Sequence, residues 1–297
     1  EFLFGKSKFK IYVVALIISL GIGQQFFNAN IFRRDWGKQR EIYWQLAWRV
    51  PALEPGTVLL THEMPVDYET DISFTAPINW MYAPDFKRAD LPFLMLYTEK
   101  RLGGSTLPSL EPGTEISFPY RTVNFHGNTS QAIVIYMPRN GCLRVLDPAR
   151  GDAAIYDKQS RFLVDAIPLS NVNLIHETDT PAQPDFIAEP PHDWCYYFAK
   201  AELARQMGDL ERVVALQKEA ASLGYSPEDP NEWLTFIEAS ALTGNLADAE
   251  KMSTRAFEED PRTDKGLCIV WKRVQAANPA QGGEEIAEML SQFDCNP

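Results

Sequence analysis

From Ile11 to Phe32 the chain reads IYVVALIISLGIGQQFFNANIF, 22 residues without one charge. Nothing else in the sequence constrains the fold as strongly. Lys10 bounds the run on one side and Arg33 on the other. As a helix it reaches about 33 Å, the thickness of a hydrocarbon core. Its densest part, Ile11 to Gly23, is shorter, and Gln24 with Gln25 is awkward in lipid. The segment is therefore either a retained transmembrane helix over 11–32 or a signal-peptide core cut near Gly21 and Gly23. The retained helix is the reading taken forward, in contact with the bilayer through residues 11–32 and preceded by a flank, 1–10. Phe26, Phe27 and Phe32 then fall at a membrane interface.

Residues 33–51 carry Trp36, Tyr43, Trp44, Ala47, Trp48 and Val50 on one broad face, with charges elsewhere. Asp35 is a helix-capping type and Pro51 a stop. This stretch reads as a separate amphipathic helix. Either it lies on the bilayer, with Trp36, Trp44 and Trp48 at the interface, or it packs beneath the next domain as an ordinary core helix. Lys and Arg counts on the two flanks do not fix orientation. The unbroken basic cluster Lys6, Lys8 and Lys10, with four cysteines in the body, favours a single-pass protein with an extracytoplasmic body.

The formal net charge of −12 argues against a phosphate-backbone partner, so no nucleic acid is expected. A hydrophobic share of 45% marks a chain that folds. The heptapeptide P-x-L-E-P-G-T occurs at 51–57 and at 108–114. Pro presets φ and Gly takes positive φ, so each copy reads as a turn that starts a strand. Beyond the threonines the segments diverge, which favours a recurring turn over a duplicated domain. Strand-type runs follow at 92–98, 130–137 and 142–147. The expected fold class is α+β: a membrane helix, an α+β domain over 52–177 with one mostly antiparallel sheet, a Pro-rich linker at 178–191, and helices over 192–297.

In that last part Gly208 and Gly244 are 36 residues apart, as are Ala220 and Ala256. Each unit reads as helix, Gly-containing turn, helix, Pro stop. Trp233, Gly244, Ala249, Ala256 and Pro261 resemble the signature of the tetratricopeptide repeat family. Tyr197 and Val213 depart from it in the first unit, and the period is two residues over the usual one. A third, degenerate hairpin runs from Lys265 to Phe293. The resemblance implies a binding surface on the first helix of each unit. It would present Glu202 and Arg205, then Thr235 and Glu238, to a partner or against the middle domain itself.

Cys142, Cys195, Cys268 and Cys295 contain no C-x-x-C pair. Three full pairings are open. In an oxidising compartment Cys268 with Cys295 is the preferred pair, because the two flank a short helical hairpin. Buried free thiols are the other reading. No H-E-x-x-H, G-x-S-x-G or P-loop pattern occurs, and the four histidines are scattered. No catalytic residue, metal or cofactor is assigned. Asp67, Glu69 and Asp71 alternate and could share a strand face toward a cation or a sugar.

A span, a Trp-rich helix and an α/β body together resemble the C-terminal part of polytopic lipid-linked-sugar glycosyltransferases, a reading that needs further spans upstream of Glu1. The function expected first is a scaffold or interaction subunit of a membrane complex, with other membrane-protein subunits as partners. The glycosyltransferase tail is the second. A glycan- or solute-binding middle domain is the third, and it requires a concave polar pocket with aromatic walls.

Overall fold

The computed structural model describes residues 8–67, 71–87, 89–99, 106–277 and 283–295. One helix, α1, runs from Lys8 to Arg49 without interruption. The break expected at residue 33 is absent, because the charges there interrupt the apolar run but carry no helix breaker. The described side chains before Ile31 are largely exposed, whereas every residue from Ile42 to Val50 is buried. The first half of α1 is long and apolar enough to cross a membrane. Its last turns form the centre of the body.

The interfacial placement of Trp44 and Trp48 is corrected accordingly. Trp44 Nε1 donates to the Ile187 carbonyl at 3.1 Å, and Trp48 Nε1 donates to Glu189 Oε1 at 3.0 Å. A buried indole N–H needs an acceptor, and the segment 178–191 supplies both. That segment is a strap across α1. Phe26, Phe27 and Trp36 remain exposed.

After α1 come β1 (Ala52–Leu53), β2 (Thr57–Thr61), α2 (Asp71–Tyr82), β3 (Asp90–Leu91) and β4 (Phe93–Tyr97). Then follow β5 (Glu115–Tyr120), β6 (Val123–Asn128), β7 (Ala132–Tyr136) and β8 (Arg144–Leu146). The principal sheet has the order β4-β2-β7-β8. β2 is parallel to both β4 and β7, and only β8 is antiparallel. The expected mostly antiparallel sheet is thus corrected for this layer. β2 (TVLLT) and β4 (FLMLY) are buried throughout, the pattern of parallel strands covered on both faces. On one face α2 and the end of α1 pack Phe74, Ile78, Ile42 and Leu46. On the other face lie α3 (Asp152–Ile155) and α4 (Arg161–Val164), with Tyr156, Leu163 and Ile167. β5 and β6 form a hairpin with β3 beside it, and β1 pairs with β9 (Ile175–His176).

The two LEPGT copies make one local structure. Gly56 and Gly113 have φ of 90° and 79°. The Thr57 hydroxyl donates to the Glu54 carbonyl at 2.6 Å, and the Thr114 hydroxyl donates to that of Glu111 at 2.9 Å.

The helical part contains α5 (Trp194–Gln206), α6 (Leu210–Ser222), α7 (Trp233–Leu242), α8 (Leu246–Glu259), α9 (Asp264–Ala277) and α10 (Gly283–Gln292). Consecutive helices pack as hairpins around a core of their own. Gly208 and Gly244 take positive φ at the hairpin turns, the left-handed cap that ends a helix. Cys142 is bonded to Cys195, and Cys268 to Cys295. The first bond staples the β7–β8 loop to α5, the second closes the last hairpin.

Candidate functional site

Glu202, Arg205, Thr235 and Glu238 do come together, but against the body of the same chain. Arg205 Nη2 donates to Glu202 Oε2 at 3.2 Å, and the Thr235 hydroxyl donates to Glu202 Oε1. Glu238 faces Arg150 at 2.9 Å and Arg273 at 2.8 Å, and Arg273 also donates to the Arg150 carbonyl. Glu202 and Glu238 are each 8% exposed and Thr235 3%. Of the two placements expected for these residues, a partner face and a brace against the middle domain, the structure has them in the second: the Asp147–Asp152 loop and the end of α1 lie against them. Burial alone would raise the Glu202 carboxyl, but Arg205, Arg150 and Arg49 together hold it well below the usual range. Burial lowers the Arg49 guanidinium to about 10.

A second internal network joins the β7–β8 loop to α5 and α7. Arg144 Nη2 donates to Asp229 at 2.7 Å and to Glu232 at 3.0 Å. Glu232 also accepts from Cys142 N at 2.7 Å and from Trp194 Nε1 at 2.6 Å. Burial pushes the Glu232 carboxyl up despite Arg144. Both networks brace the helical part on the sheet.

The open hollow with chemical potential lies elsewhere. From β2 the chain crosses through α2 to β4 on one side, and the next parallel strand, β7, lies on the other side of β2. That reversal leaves a crevice outside the carboxyl ends of β2 and β7, the place where open α/β sheets bind ligands. A cavity of about 250 Å³ occupies it. His62, Glu63, Met64 and Pro65 form one wall, Tyr136 to Arg139 a second, and Gln159, Ser160 and Leu163 a third.

The pleat explains the floor. Val58 and Leu60, Leu94 and Leu96, and Ala132 and Val134 all face the α3–α4 side. One step further along each strand, the same face presents Thr98, His62 and Tyr136 in a row across the sheet. Three apolar strands thus end together in hydrogen-bonding side chains. The His62 ring stacks on Phe162 at 5.6 Å, and Tyr136 meets Tyr156 edge-on at 5.7 Å. Among the described residues, His62 Nδ1 and Thr98 Oγ1 are buried with no hydrogen-bond partner. Burial raises the Tyr136 hydroxyl above its usual pKa.

Beyond β2 the chain returns to α1. α1 ends beside α2, where Tyr82 Oη donates to the Val50 carbonyl at 2.8 Å. β2 then carries the chain back, and Asp67 N donates to Asp35 Oδ2 at 3.2 Å. Asp35 is 14 residues before Arg49, about 21 Å along the helix, and only about 5 Å beyond Phe32.

Of the residues expected to meet a cation or sugar, Asp67 lies against Asp35 of α1 and not in the cavity wall, Glu69 lies outside the described residues, and the side chain of Asp71 does too. Among the described residues no group of three His, Cys, Asp or Glu is placed to hold a metal. His62, Tyr136, Arg139 and Gln159 carried no motif in the sequence. The only signal was for His62 and Tyr136, polar residues at the carboxyl ends of strand-type runs. Compared with known protein families, curated proteins and solved structures, the chain gives no match.

Proposed function

We propose that this protein is a single-pass, membrane-anchored interaction subunit that holds an extracytoplasmic body in a fixed attitude over the bilayer. The observation that carries the reading is α1: one uninterrupted helix is a bare apolar rod in its first half and ends, from Ile42 on, inside the body's core. Such a rod transmits orientation, which a flexible tether does not. The strap over Trp44 and Trp48, the two charged networks and the Cys142–Cys195 bond make the body one braced unit. Two disulfides support an oxidising compartment for it. In this reading the hairpins are of the tetratricopeptide type, and their inner face braces the sheet. The apolar rod packs beside spans of other subunits, and exposed body surfaces meet their outer domains.

Gentle extraction of the native membrane, followed by sizing and mass spectrometry, tests this. Co-migration with a defined set of other membrane proteins is the expected result. Migration alone overturns the reading, as does release of the chain by alkaline carbonate. If peptides of further spans belong to the same polypeptide, the glycosyltransferase-tail reading replaces it.

A further inference from the structure

We propose that the crevice at the carboxyl edge of β2 and β7 binds a neutral polyhydroxylated group, the glycosyl moiety of a saccharide or glycolipid. The inference does not rest on membership of a complex. It rests on what the walls offer. Glu63 brings an acceptor and Arg139 a donor to the same hollow, and among the described residues neither is in an ion pair. An anionic ligand would face Glu63, and a cationic one would face Arg139. A hydroxyl donates to the first and accepts from the second, so a ring of hydroxyls satisfies both. His62, Gln159, Ser160 and Tyr136 add further groups able to donate or accept. Between them, Met64, Pro65, Pro138 and the Tyr136 ring supply apolar surface for the C–H face of a sugar ring.

Size and position agree. At about 250 Å³ the hollow lies just below the range of about 300–1,000 Å³ usual for small-molecule pockets, so it suits a single ring. A second hollow of about 320 Å³ shares Tyr136, Pro138 and Gln159 with it and continues past Asn140 and Asn231 toward the helical part. Asp67, two residues beyond the Glu63–Pro65 wall, bonds Asp35 of α1, so the test covers both a headgroup anchored in the bilayer and a free saccharide from solution.

The test uses the full chain in phosphatidylcholine nanodiscs and reads hydrogen exchange at 62–66, 136–140 and 159–163. One arm adds free glucose, galactose, mannose, N-acetylglucosamine and their disaccharides. The other places glucosyl- and diglucosyl-diacylglycerol in the nanodisc. Protection in either arm supports the proposal, and the arm that responds names the source. Glu63→Ala and Arg139→Ala alter exposed side chains outside the core, and each is expected to weaken binding about tenfold. Absence of protection in both arms overturns the proposal. So does protection that both variants leave intact. A stronger response to inorganic phosphate or to phosphatidylglycerol overturns it in favour of an anion site.

Discussion

Replacing Glu232 by glutamine should loosen the joint between the sheet and the helical part. The carboxylate is fully buried and accepts from Cys142 N, Arg144 Nη2 and Trp194 Nε1. Cys142 and Arg144 share one oxygen, and Trp194 uses the other. A glutamine has a single acceptor oxygen. Placed toward Cys142 and Arg144, it turns its NH2 against the Trp194 N–H. That orphaned donor costs about 1–3 kcal/mol. Arg144 keeps Asp229 but loses a charged partner, and breaking a buried pair costs about 3–5 kcal/mol in all. Burial already disfavours the Glu232 charge, which places the net loss near the lower end, about 3 kcal/mol. For a body of this size that corresponds to a fall in Tm of about 6–12 °C. The assay is thermal unfolding followed by intrinsic tryptophan fluorescence, with the exposed Glu228→Gln as control. A Tm within about 2 °C of the parent would refute the reasoning. It would mean that Glu232 is already protonated in the native protein.

Four further outcomes are expected. Asp152 is raised by burial from 3.8 to about 6, so its contribution to stability is complete below the ordinary value and lost as pH rises through about 6. Asp152→Asn should therefore gain on the parent by about 2–3 kcal/mol between pH 4 and pH 7 in paired denaturation curves, and a pH-independent difference would contradict this. Cys195→Ser opens a 53-residue loop and should cost about 4 kcal/mol, read as the Tm difference between the variant and the oxidised parent. Gly266→Ala would place a methyl 2.7 Å from Leu234 Cδ1, and overpacking of about 1–3 kcal/mol should appear in the same melts. Gly37→Pro, in the half-buried turn between rod and body, should kink α1 while leaving the body's disulfides intact. The check is a changed distance from bilayer to body in labelled nanodiscs.

Much of this was legible in the chain. The uncharged run of 22 residues determined a long helix apolar on all sides, because it offers no polar face to water. The Pro-Gly pairs determined two strand-entry turns, since positive φ at Gly56 and Gly113 is a local property. The spacing of Gly208 and Gly244 determined the helical hairpins for the same reason.

What only the tertiary structure decided is pairing and burial, which depend on residues far apart. VLL reads as a strand but does not say that its neighbours are parallel. Glu202 and Glu238 read as helix surface until Thr235 is brought onto the first and Arg150 and Arg273 onto the second. Trp44 and Trp48 read as interface residues until a strap about 140 positions away offers acceptors to their indoles. The crevice is the clearest case. His62, Tyr136 and Gln159 share no local pattern, and only the reversal of strand order at β2 sets them around one hollow. Turns and helices are settled over a few residues by φ, capping and periodicity. A site at a switch point exists only once non-adjacent strands have paired.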